Sequence, residues 1–171
     1  MGKDTHIIQE IVNEFRRRVI HESIQRIKTC LNMVDESKLW FRQNDEVNSI
    51  GNLILHLDGN ARQWVFSGIG NVPDKRDRSS EFIPDQNITK DKLSFILNNL
   101  EDDLENFFSS TELGTLTDKR KVQVFEETGI SILIHVIEHF SYHTGQITLL
   151  TKLFTGMPTN YYGGLNLDIY E

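Results

Sequence analysis

Four stretches of this chain repeat apolar residues at intervals of three and four, and a spacing sustained for several turns each time leaves amphipathic helix as the natural fold. The first stretch, from Ile7 to Leu31, carries Ile8, Ile11, Phe15, Val19, Ile27 and Leu31 on one face. The opposite face mixes Arg16, Arg17, Arg18, Arg26 and Lys28 with Glu10, Glu14 and Glu22, which reads as a solvated surface. The second stretch runs through Ile50, Leu53, Ile54, Leu57, Ala61, Trp64 and Val65, with Asn48 or Ser49 as its N-cap and Ser67-Gly68-Ile69-Gly70 as its breaker. Thr89 caps the third, whose stripe is Leu93, Ile96, Leu97, Leu100, Leu104, Phe107 and Phe108. The fourth begins past Gly129 with Ile130, Leu133, Ile134 and Ile137. It continues through Phe140, Ile147, Leu150, Leu153 and Phe154 to a stop at Thr155-Gly156-Met157-Pro158.

The connections are longer than tight turns. Residues 71–87 hold Pro73, Pro84 and the charged run Asp74-Lys75-Arg76-Asp77-Arg78, so they read as a long surface loop. From Gly114 to Thr128, Val122 and Val124 suggest a short extended or irregular segment, although Phe125 breaks strict alternation. The three prolines all fall outside the helical stretches. An all-α four-helix bundle with one or more crossover loops follows, as a single domain over residues 1–171. The tail from Met157 to Glu171, with Tyr161, Tyr162 and Tyr170, is expected to pack back against the helices.

Charge and composition exclude several functions. Eighteen Lys and Arg against 25 Asp and Glu leave a net charge of −7, which gives no electrostatic grip on a phosphate backbone. Mean hydropathy is −0.38, and no apolar run has the length of a membrane span. The polar start from Met1 to His6 has no hydrophobic signal segment, and the single cysteine, Cys30, suits a reducing compartment and reads as an inert thiol. A cytoplasmic protein is expected.

Six histidines remain, and their positions are unequal. His6 stands before the first helix and His21 lies among charged residues, and both read as surface. His135, His139 and His143 recur every fourth residue on the last helix, and residues four apart share a helix face about 6 Å apart along the axis. Two such imidazoles can converge on one metal ion, whereas the first and third are about 12 Å apart in rise, so a further ligand has to come from another helix. His56, in the apolar run Leu53-Ile54-Leu55-His56-Leu57, is the natural candidate, because a buried imidazole needs partners for its ring nitrogens. Helix geometry alone leaves His135 with His139, or His139 with His143, equally open as the pair. His135-Val136-Ile137-Glu138-His139 also matches an inverted zinc-peptidase signature, but too little chain follows to supply the rest of such an enzyme. Phe140 stands where the ordinary His-Glu-x-x-His motif needs glutamate.

The segment from His135 to Ile147, with its His139-x-x-x-His143-Thr144-Gly145-Gln146 ending, resembles the last bundle helix of the DinB superfamily, in particular a poorly characterised DinB-like branch. The resemblance spans the chain in length and helix order, while the specific motif covers His56 and residues 135–147. It departs from the commonest form at Thr144, where arginine is frequent, so nothing carried by that arginine transfers. The resemblance implies that His56, His139 and His143 hold a divalent ion, zinc or nickel first, and that His135 stands one turn away. Gln146, three residues after His143, is placed to orient a ligand or a bound water. Gly145, lacking a side chain, would let a neighbouring helix backbone approach.

Three imidazoles with an open fourth position can polarise a substrate or lower the pKa of a bound water or thiol, and no side chain is assigned as a catalytic nucleophile. Characterised relatives in the superfamily join low-molecular-weight thiols such as bacillithiol to electrophiles, or are mycothiol-dependent isomerases, and members often pair as homodimers. The resemblance therefore implies a metal-dependent small-molecule enzyme, thiol S-transferase-like or hydrolase-like. The alternative is a non-catalytic metal-binding or interaction bundle acting through a partner.

Overall fold

The computed structural model describes residues 3–169, and within them the four periodic stretches are helices. Helix α1 is unbroken but changes pitch, with α-helical Lys3–Phe15, a π-helical stretch Arg16–Ile24 and α-helical Gln25–Met33. Helix α2 is α-helical over Ile50–Ala61 and widens to π over Arg62–Ile69. Helices α3 (Lys90–Ser110) and α4 (Gly129–Thr155) are regular. Strands β1 (Lys119–Val122) and β2 (Phe125–Thr128) form an antiparallel hairpin with Val122 opposite Phe125. Among the described residues, no helix is long and apolar enough to cross a membrane.

The start signals read from the sequence work as side-chain caps. Ser49 Oγ accepts from the Asn52 amide while Asn52 Oδ1 accepts from the Ser49 amide, a reciprocal capping box of the kind that contributes about 1 kcal/mol. Thr89 caps α3 as its position predicts, Thr128, which the sequence pattern does not single out, caps α4, and Gly156, at φ 65°, ends α4 in the left-handed conformation that glycine tolerates best.

Packing decides the arrangement. Helix α4 packs on α1 and on α2, and α3 packs on the same two helices, so the order around the core is α1, α4, α2, α3. Chain neighbours α1 and α2 therefore sit diagonally, as do α3 and α4, which is why both of those connections are long crossovers. The buried apolar residues form one contiguous core, including Phe15, Ile24, Leu57, Leu97, Leu133 and Phe140.

Four sequence expectations need correction. In α1, Val12 is buried and Ile11 only partly so within the α-helical turns, while Ile20 and Ile24 are buried in the π stretch, whose wider turns rotate the apolar face away from the α-helical register. Residues 119–128 form an ordered hairpin, whose turn carries Gln123 at φ 54° in place of the Asn-Gly or Asp-Gly pair that announces such turns. His6 lies within α1, exposed, and not before it. No atom lies within 4 Å of where a Gly145 Cβ would stand, so no helix backbone approaches it and the residue sits on an open face of α4. In the tail, Tyr161 packs onto the core and its hydroxyl lies 2.9 Å from Cys30 Sγ, whereas Tyr170 lies outside the described residues. Burial, followed by the neighbouring thiol, pushes the Tyr161 hydroxyl up to about 12.

Candidate metal centre

His56, on the face of α2 turned to α4, is buried and meets His139 and His143 across the helix interface. The three Nε2 atoms converge: His139 Nε2 lies 3.1 Å from His56 Nε2 and 3.1 Å from His143 Nε2. Tetrahedral nitrogen ligands about 2.1 Å from a zinc ion stand about 3.4 Å apart, so the separation suits a common ion. These are the three histidines whose donor atoms gather within metal-binding distance of one another.

Their outer nitrogens explain why the inner ones are bare. His56 Nδ1 lies 2.8 Å from Glu81 Oε2; Arg76 Nη2 stands 3.1 Å from the same nitrogen but 2.8 Å from Glu81 Oε2, so the carboxylate accepts from both, and His56 donates from Nδ1 and presents an unprotonated Nε2. His143 Nδ1 lies 2.7 Å from Gln146 Oε1, which sets the same tautomer. Two lone pairs thus face His139 Nε2, which as a neutral ring holds at most one proton and can satisfy one of them. Burial, and then the neighbouring His143 and His56, push His139 down to about 3, so a second proton does not bind there near neutrality. Burial likewise lowers His143, against the opposing effect of the hydrogen bond it donates to Gln146. A divalent cation would satisfy all three lone pairs at once, and the donor set fits one.

The carboxylate behind His56 comes from the 71–87 loop, whose role was open in the sequence. Arg76 grips Glu81 in a two-pronged pair, Nε to Oε1 at 2.6 Å and Nη2 to Oε2 at 2.8 Å, and both side chains are almost fully buried, at 4% and 8% exposure. Burial acts to raise the Glu81 carboxyl, but hydrogen bonds from Arg76 and His56 outweigh it and hold the group below its usual range. The loop is tied down beside them, as Asn52 Nδ2 donates to the Glu81 carbonyl and Trp40 Nε1 to the Ile88 carbonyl. Gly59 leaves the space this needs: a Cβ there would collide with Glu81 Oε1 and stand 3.0 Å from Arg76 Nε.

His135 does not join the cluster. It stacks on Trp64, with ring centroids 3.7 Å apart at 22°, and lies 5.6 Å from the His139 ring. His21 is 60% exposed beside Glu105, as a surface residue should be, and Cys30 is buried with its thiol 2.9 Å from the Tyr161 hydroxyl. Sequence reasoning missed Glu81 and Arg76, since nothing in a polar loop marks which carboxylate will fold inward. Trp64, which stacks on His135, reads in the sequence only as part of the apolar stripe of α2.

The fold and site together define a mainly helical protein with a three-histidine cluster capable of holding a metal ion. The chain belongs to the family described as protein of unknown function DUF1572, whose model matches residues 6–161. No curated protein matches it.

Proposed function

We propose that this protein is a divalent-metal-dependent enzyme of the DinB-like bundle type acting on small molecules, with thiol S-transfer as the first reaction to test and hydrolysis as the second. The observation that carries this reading is the convergence of three Nε2 atoms, two of them held in the metal-binding tautomer by Glu81 and Gln146. When bound, a zinc or nickel ion supplies Lewis acidity and lowers the pKa of a thiol or water. The Arg76–Glu81 pair fixes the His56 ring and makes its Nε2 more electron-rich, and Gln146 orients His143. A cavity of about 320 Å³ opens directly on His56 and His139, which gives a substrate access that a closed structural site lacks.

Elemental analysis of the isolated protein should find about one ion per chain, and His139→Ala or His143→Ala should strip it. Wild-type protein that is metal-free and takes up neither zinc nor nickel would sink the reading. Assays with several low-molecular-weight thiols and a chromogenic electrophile, then with ester and amide substrates, test turnover. A loaded protein inert in all of them, with a saturated cobalt spectrum, favours the alternative of a binding bundle acting through a partner.

The partner we expect is a second copy. Ile134, Tyr142, Leu149 and Leu153 are exposed along one side of α4, and Glu138 and Lys152 stand seven residues before and after Gly145. An antiparallel pairing of two such faces brings opposite charges together. Sedimentation should give a dimer mass, and a monomer at high micromolar concentration would remove this part of the proposal.

A further inference from the structure

The histidine ladder of α4 faces a second ladder on α2. His56, Asn60 and Trp64 step along one face of α2, and Trp64 ends opposite His135, stacked on it. Between these ladders and the hairpin lies the 320 Å³ cavity, with Phe125 at its edge, half exposed. Four residues lining it carry a buried polar atom that makes no hydrogen bond within the described protein: Asn60 Oδ1, Trp64 Nε1, His135 Nε2 and His139 Nδ1. Asn60 and Trp64 are only 4% and 5% exposed.

An unpaired buried polar atom costs about 1–3 kcal/mol, so four gathered around one cavity call for a ligand that pairs them. Trp64 Nε1–H can only donate, and Asn60 Oδ1 can only accept. Their complement is a group that carries both a carbonyl and an N–H. The lining mixes aromatic rings with two cations and a carboxylate: Arg76 is neutralised by Glu81, Arg78 lies over the Phe82 ring, and Glu127 faces the same cavity. With Arg78 offset by Glu127 in the same lining, no surplus positive charge is left for a carboxylate, and a flat neutral group suits the cavity better.

We propose that this cavity is the substrate seat and that it selects small molecules bearing a neutral planar amide-type group, with the carbonyl on Trp64 Nε1–H and the N–H on Asn60 Oδ1. The seat rests on the function proposed above only in placing the reacting end of the ligand at the three histidines. Selectivity then lies in α2, one and two turns beyond His56.

Benzamide, benzoate and toluene serve as probes, titrated into the isolated protein and followed by the two indole N–H resonances in NMR. Trp40 is the internal control, since its Nε1 already donates to the Ile88 carbonyl at 3.0 Å. Benzamide should shift the Trp64 indole N–H and leave that of Trp40, binding more tightly than either benzoate or toluene. Trp64→Phe, which keeps a ring, should weaken benzamide about tenfold and leave toluene unchanged, and Asn60→Leu should also lower the benzamide preference. Equal binding of benzamide and toluene, tighter binding of benzoate, a shift confined to Trp40, or no binding up to the solubility limit overturns the proposal. Metal content is measured on the same sample. Benzamide binding by metal-free protein upholds the seat while the metal reading falls, and loaded protein that ignores benzamide fails the seat alone.

Discussion

Glu81 and Gly59 hold more of this site than their sequence neighbourhoods suggest. Glu81 joins a loop arginine to a helix histidine inside the protein, and removing its charge strands a buried guanidinium. Glu81→Gln should therefore destabilise the fold by about 3 kcal/mol in urea denaturation. It should also weaken zinc binding by roughly 10- to 100-fold, read by competition with a chelator. An unchanged zinc affinity would show that His56 is oriented by packing alone. Gly59 predicts a sign. Replacing a mid-helix glycine by alanine ordinarily stabilises by about 1 kcal/mol. Here the new Cβ meets Glu81 and Arg76, so Gly59→Ala should lose stability and metal affinity together. A gain in stability would mean that the ion pair moves aside freely. Neither role is legible in the sequence, because both depend on the loop folding back so that Glu81 meets Gly59 and His56, the latter 25 residues earlier in the chain.

At the scale of elements, the helices and their caps follow from local rules, and the exceptions mark places where local rules compete with packing. The π turns of α1 and α2 bury residues that a strict helical period leaves out. The 71–87 loop reads as slack in the sequence, yet it is anchored through Asn52, which also completes the α2 capping box. Asn52→Ala should cost about 2 kcal/mol, since it removes a cap and a buried hydrogen bond. Amide exchange should then accelerate across residues 71–87, ahead of α3 and α4. Uniform acceleration over the whole chain would show that Asn52 supports global stability without holding the loop in particular. The hairpin escaped sequence reading because its turn lacks the usual glycine and Val124, which completes the apparent alternation, is 90% exposed.

For the whole molecule, gathering three neutral imidazoles makes stability depend on pH. The folded protein holds His139 near 3 against an ordinary value of 6.5, with burial as the main cause. Above pH 6.5 neither the folded nor the unfolded chain protonates this group. As the pH falls below 6.5 the unfolded chain takes up a proton that the folded chain refuses, and the associated stability is lost progressively down to about pH 3. His143 and His135, both lowered chiefly by burial, steepen the loss. The metal-free protein should thus show a falling denaturation midpoint from pH 7 to pH 4, and His139→Phe should flatten the curve. A midpoint that is level across that range would contradict the burial of neutral histidines. Added zinc should raise the midpoint at pH 7 and lose this effect in acid, because protonation competes with the metal.

The sequence by itself determined that this chain is helical, where α2 and α3 begin and where α4 ends, and that His56 and the ladder of His135, His139 and His143 deserve attention. Those conclusions rest on periodicity and capping, which act over a few residues and survive without knowledge of the fold. The choice of His139 with His143 over His135 with His139 needed more than periodicity, which treats both pairs alike. The tertiary structure brings His56 opposite His139 and His143 and stacks His135 on Trp64, because only packing sets where α2 and α4 cross. It also selects Glu81 and Arg76 from a loop full of charges, since burial of an ion pair depends on what covers it.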